Sequence, residues 1–370
     1  MKKLYLYLLK EFFSSFFLGV ALFTFMLIIF QAMELMDLII TKGVPKEDVL
    51  LLFIYILPSF LAITIPMAVL TGILMTYGKL AQNNEIIALK SAGISLLKIA
   101  NPIILVSFLL SCLMVLFNDK ILPWGNNNFR DLYFKIVYEK TQVAMKEKIF
   151  ITDFPGYIIY IENLTPKTSL FKDIKIIRFK NNKPENAIFA KSGTLLSDKE
   201  NMKVSFRLYQ GTIHQLSEKF NKRYYKINFL HHSINLDLSN TLSNKISRST
   251  GDMSIDELNK EIEKALPPEK NIFRVELHKK ISIPFACLAF TLIGIPLGVM
   301  IKKSGKSVGF GISLILIIIY YAILITGVAL GESNKVTPWL AIWFPNFIIS
   351  ISGIFLLFLA VNDAGIFERK

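Results

Sequence analysis

The first apolar run already restricts where this chain can fold. From Phe12 to about Met36 it carries no charge until Glu34. A segment of that length exceeds the roughly 20 residues needed to cross the hydrocarbon of a bilayer. Lys2, Lys3 and Lys10 precede it, as they would in a secretory signal. The run is too long for a signal's apolar core and no small-residue cleavage site follows, so it reads as a first membrane span. Further runs of this kind lie at about Leu50–Thr76, Ile99–Phe117, Ile281–Ile301, Val308–Leu330 and Trp339–Val361. The spans are therefore grouped three and three.

The charges between the spans set the expected orientation. Lys2, Lys3, Lys10, Lys79, Lys90, Lys98, Lys302, Lys303, Lys306, Arg369 and Lys370 fall on one side, against Lys42, Lys46 and Lys335 on the other. Basic residues concentrate on the cytoplasmic side of short loops. Both termini and the 77–98 segment are thus expected inside. Glu34 and Asp37 come at the outer end of the first span. Pro58 and Pro66 interrupt the second span, where proline removes a helix hydrogen bond.

About 160 residues separate the two groups of spans. They are polar, basic and rich in alternating β-branched and aromatic residues. Strands are expected at Lys148–Thr152, Tyr157–Asn163, Ile174–Lys180, Ala187–Thr194, Lys203–Tyr209 and Tyr224–Leu236. Turn signals lie at Phe154-Pro155-Gly156, Asn181-Asn182-Lys183-Pro184, Ser192-Gly193 and Gln210-Gly211. Short strands without helical units between them imply an external all-β sandwich or jelly roll. Ser254 and Glu257 form a capping box that opens a helix to about Lys264, ended by Pro267-Pro268. The expected fold is α-helical, with six transmembrane helices (3 + 3) and an inserted all-β, jelly-roll-like domain. Its divisions are 1–118, 119–266 and 267–370.

The net charge of +14 raises nucleic acid as a partner. Its distribution argues against that. Between Asp119 and Lys280 there are 28 Lys/Arg against 19 Asp/Glu, on the side away from the cytoplasm. That excess suits an anionic substrate or membrane surface. Cys112 and Cys287 lie in apolar runs, and His214, His231, His232 and His278 lack metal-ligand spacing, so no metal or disulfide is expected. Gly305-Lys306-Ser307 resembles the end of a phosphate-binding loop, but the required upstream glycine is Met300. Gly309 and Gly311 fit close helix approach in the bilayer instead. No catalytic constellation stands out and no cofactor is implied. The span interiors hold almost no ionisable residues of the kind that mark ion pathways, so a self-powered carrier is disfavoured.

The stretch Tyr77 to Lys98 lies between two spans yet is more than a polar loop. A helix is expected from about Lys79 to Ala92, ended by Gly93. Glu85 would share a face with Ala81, Ala88, Leu89 and Ala92. Two readings of this helix stand on the residues alone: a docking surface for a cytoplasmic partner, or an amphipathic linker resting on headgroups.

The run Ile65-Pro66-Met67-Ala68-Val69-Leu70-Thr71-Gly72, followed by Gly78-Lys79-Leu80 and Asn84-Glu85-Ile86-Ile87-Ala88-Leu89-Lys90-Ser91-Ala92-Gly93, resembles the LptF/LptG permease family. The resemblance covers essentially the whole chain, and the F-like type is favoured. It implies a permease subunit of an ABC transporter that extracts lipopolysaccharide from the inner membrane of Gram-negative bacteria. The 79–93 segment would be the coupling helix, with Glu85, Leu80, Ile87 and Leu89 meeting a cytoplasmic ABC ATPase dimer that supplies the ATP hydrolysis. A paired permease of the same family would complete a central cavity. The β domain would be periplasmic and would join a bridge of similar jelly rolls. Lys42, Lys46 and Arg130 would contact lipid phosphates; for Lys42 and Lys46 simple interfacial anchoring is the competing reading. A different class also remains: a non-transporting scaffold or sensor whose β domain binds an external ligand.

Overall fold

A computed structural model describes residues 2–40, 44–144, 150–151, 157–165, 170–180, 183–198, 203–217, 223–236, 249–300 and 305–362. The expected sites and loops at Lys42, Phe154-Pro155-Gly156 and Lys302-Lys303, and the tail Glu368-Arg369-Lys370, lie outside the described residues. Helix α1 spans Lys2–Ile40 and α2 spans Lys46–Gln82, with Pro58 and Pro66 inside it. A short α3, Glu85–Ser91, leads to α4, Leu96–Leu116. A π-helical turn at Phe117–Ile121 joins α4 to α5, Leu122–Ala144. After the strands come α6 (Ile255–Lys264), α7 (Pro267–Met300), α8 (Gly305–Glu332) and α9 (Pro338–Asn362). Six helical segments are long and apolar enough to span a membrane, among them the continuous Leu96–Ile136.

The chain divides into two compact units. One comprises Met1–Asp37, Phe53–Asn127 and Thr250–Lys370; the other comprises Leu38–Leu52 and Asn128–Ser249. In the first unit α7 is the central pole. Its apolar window is 61% buried, against 39% or less for every other span. One cluster joins Leu8, Phe12 and Phe16 of α1 to Ile73 and Tyr77 of α2, Ile99 and Ile103 of α4, and Cys287 of α7. A second joins Phe290 of α7 to Tyr320 of α8 and Ile342 of α9.

Small and hydroxyl side chains close these helix contacts, as is usual where lipid supplies no hydrophobic drive between spans. Thr71 donates to Ser313 at 3.0 Å, and Tyr77 donates to the Ile99 carbonyl at 3.1 Å. Asn346 accepts from Tyr320 at 3.0 Å and donates to the Ser282 carbonyl at 2.8 Å. Gly309 does what its position implied: a Cβ there would meet the Leu74 carbonyl oxygen at 3.2 Å. Gly311 does not, since a Cβ would find open space.

The capping box is formed. Ser254 Oγ accepts from the Glu257 amide at 3.2 Å, and Glu257 Oε2 accepts from the Ser254 amide at 2.9 Å. The proline pair that ends α6 also starts α7, because proline at a first helical position loses no hydrogen bond.

The expected all-β insert is present. Strands β1 (Phe150–Ile151), β2 (Tyr157–Thr165), β3 (Leu170–Lys180), β4 (Lys183–Asp198), β5 (Lys203–Ser217) and β6 (Arg223–Leu236) form one antiparallel sheet. Among the described residues they follow chain order, without the crossovers of a two-Greek-key jelly roll.

Two expected turns, Ser192-Gly193 and Gln210-Gly211, lie inside β4 and β5. Asp173 and Gln210 have φ of 52° and 50°, which kinks the strands that carry them. The buried residues of β3 run Ile176, Ile174, then Phe171; those of β4 run Ile188, Ala190, then Gly193. Each strand thus inserts one residue on the row through Asp173, Lys191 and Gln210. The insertion keeps a single apolar face continuous across the kink, as an aligned set of bulges would.

Candidate functional site

The segment between α2 and α4 is divided rather than one helix. Its first four residues, Lys79–Gln82, continue α2. Asn84 then adopts φ 59°, a left-handed conformation that asparagine tolerates, and α3 begins anew at Glu85. The end of α3 follows the sequence closely. Gly93 has φ 81°, its amide bonds the Lys90 carbonyl at 2.9 Å, and the Ile94 amide bonds the Leu89 carbonyl at 3.0 Å. This pair of bonds is a Schellman cap.

The helix presents two faces. Ile86 is buried in the core cluster of α1, α2 and α4, and Leu89 packs partly against it. Ile87, Ala88, Ser91 and Ala92 are exposed. Leu80 is not on this surface: it lies at 1% exposure in the core, because the residue belongs to α2. Its expected place in a partner contact is corrected to that of an internal anchor.

Glu85 is half-buried and held at both oxygens. Tyr7 of α1 donates to Oε2 at 3.0 Å, and Asn83 donates to Oε1 at 3.0 Å. Lys79 pairs with Glu11 of α1 at 2.7 Å. Lys90, on the other end of α3, donates to the Ala360 carbonyl in the last turn of α9 at 3.0 Å. A cation capping final carbonyls also faces the negative end of the helix dipole. The short helix is therefore fastened to the start of α1 and to the end of α9. Tyr7 and the Lys90–α9 contact escaped the sequence reading, since no periodicity links residues so far apart.

The model of the lipopolysaccharide export system permease LptF/LptG matches residues 6–358. The chain belongs to this family. The permease protein LptF of Escherichia coli K12 is 24% identical over 358 residues, covering 92% of this chain and 91% of that protein. The Shigella flexneri LptF matches to the same extent. An uncharacterized protein of Rickettsia prowazekii is 24% identical over 154 residues, 42% of each chain. Membership of a family of lipopolysaccharide export permeases, together with six apolar spans, makes this a multi-pass inner-membrane protein.

Of the three basic residues implied for contact with lipid phosphates in this LptF/LptG member, Lys46 and Arg130 are among the described residues. Lys46 is exposed and opens α2, ahead of Glu47 and Asp48. Arg130, in α5, is a largely buried side chain, 9% exposed, with Nε 3.9 Å from Asp131 Oδ1. Among the described residues no group of three or more His, Cys, Asp or Glu side chains could hold a metal ion.

Proposed function

We propose that the chain is the F-type permease subunit of an ATP-driven lipopolysaccharide exporter. Both termini and α3 face the cytoplasm, and the β unit is periplasmic. A cytoplasmic ABC ATPase dimer supplies the energy, docking on the exposed Ile87–Ala88–Ala92 face of α3. A second permease of the family completes the lipid cavity.

The observation that carries this reading is the build of α3. It offers a small apolar face to the outside while its carboxylate, its buried Ile86 and its Lys90 contact bind it to α1, α2 and α9. A linker resting on headgroups needs no such fastening. Displacement of α3 by a partner would be passed on as a rigid push, because packed interiors deform little. Lipid is then expelled from the cavity towards the β unit and handed to a periplasmic bridge. The edge strand β6 exposes Tyr224, Tyr225, Ile227 and Leu230 among the described residues, which suits pairing with a further sheet.

The test is Glu85→Lys and Glu85→Ala in the complex isolated from native membranes. The reading predicts weakened ATPase assembly and reduced lipopolysaccharide release. Unchanged assembly and release in both variants would remove the basis for a coupling role.

A further inference from the structure

Among the described Asp, Glu, Lys and Arg side chains Lys280 is the most deeply buried, at 3% exposure. It lies in α7, and its Nζ donates to the Asn118 carbonyl at 3.0 Å and to the Gly251 carbonyl at 3.3 Å. The first acceptor belongs to the π-helical turn that ends α4. Such a turn widens the ladder and frees carbonyls for other donors. The second belongs to the 3₁₀ turn Thr250–Asp252, where the chain returns from the β unit.

The neighbouring contacts repeat the pattern. Asp119 Oδ1 accepts from the Ile255 amide, the first residue of α6, at 2.7 Å. Asn126 donates to Asp252 Oδ1 at 2.9 Å and accepts from Ser59 of α2. Beside it, Gly125 permits direct contact with α2: a Cβ there would lie 2.7 Å from the Tyr55 carbonyl oxygen and 2.9 Å from Pro58 Cγ. The chain leaves the first unit after Asn127 and re-enters at Thr250. These two of the chain's four crossings are thus tied to each other, to α2 and to α7 at a single buried polar cluster.

We propose that Lys280 is a positioning residue for export. Its ammonium clamps the outgoing Asn118–Asn126 segment and the returning Gly251–Ile255 segment against α7, so that a displacement of α2 reaches both crossings together. This rests on the ATP-driven reading above, since α2 ends beside the proposed coupling helix. Removing a charge so buried takes one hydrogen bond from each of these two carbonyls and loosens the join between the segments that carry them.

The experiment uses the whole complex purified from native membranes and reconstituted with labelled lipopolysaccharide. ATP hydrolysed and lipopolysaccharide released are measured together for the native protein, Lys280→Met and Lys280→Arg. The clamp predicts that Lys280→Met hydrolyses ATP within about twofold of native while releasing about tenfold less lipid per ATP, with Lys280→Arg recovering most of the ratio. A native release-per-ATP ratio in Lys280→Met overturns the clamp, whatever the yield of protein. Should Lys280→Met fail to assemble, Asn126→Leu decides: a reduced ratio supports the clamp and a native ratio overturns it. Absence of ATP-driven release from the native complex overturns the export reading, and the clamp with it.

Discussion

Tyr7 donates a hydrogen bond to Glu85 across 78 positions of sequence, tying the first turns of α1 to the first residue of α3. The Glu85 carboxylate, the proposed coupling group, is therefore oriented by a neighbouring span before any partner arrives. A pre-oriented side chain loses less freedom on binding.

Tyr7→Phe removes only the hydroxyl. The contact is exposed, so the effect is modest: ATPase docking weakens by about threefold. Titration of the detergent-solubilised permease with its ATPase subunit measures this. An unchanged affinity would mean that Glu85 needs no orientation by α1.

Lys90→Ala removes the cation over the last carbonyls of α9. A cap of this kind contributes about 0.5–1 kcal/mol. Hydrogen exchange of the amides in the final turn of α9 is expected to accelerate by about three- to fivefold, while exchange in α4 stays unchanged. Equal rates in both proteins would show that α9 ends independently of α3.

Two glycines separate close packing from open space. A Cβ on Gly353 would lie 2.6 Å from the backbone of Leu292 and Ile293, whereas one on Gly311 would touch nothing. Gly353→Ala should destabilise the bundle by about 1–3 kcal/mol, since backbone on α7 must move. Gly311→Ala should be neutral or raise stability by up to about 1 kcal/mol through helix propensity. Thermal unfolding in one detergent compares the two, and similar shifts would contradict the packing described.

The kinked strands make a further prediction. Gln210 sits at φ 50° within β5, a conformation that β-branched side chains resist. Gln210→Val should weaken amide protection in β5 and in its neighbours β4 and β6 by about 1–2 kcal/mol, and Gln210→Gly should preserve it. Equal protection in the two variants would indicate that the row carries no strain.

The spans, the cap at Gly93, the capping box at Ser254 and the positions of the strands were all legible in the sequence, because each is set by local chemistry or a short period. Other features depended on context. Gln210-Gly211 has turn chemistry, yet that same chemistry serves a kink inside a long strand. Polar residues after Asn118 resembled the start of the β domain, whereas apolar Phe129, Tyr133, Phe134 and Ile136 bury one side of α5 instead. Leu80 shared the coupling motif but belongs to the core. Lys280 sits beside Lys279 in the sequence and looks like an interfacial anchor; its burial arises only when α4, α7 and the returning chain meet.

Site-specific photo-crosslinking in native membranes tests the central claim most directly. A crosslinking side chain is placed at Ile87, on the exposed face of α3, or at Leu80, inside the bundle. The account predicts an adduct between position 87 and an ATP-hydrolysing subunit, and no such adduct from position 80. An Ile87 position that captures lipid alone would contradict it.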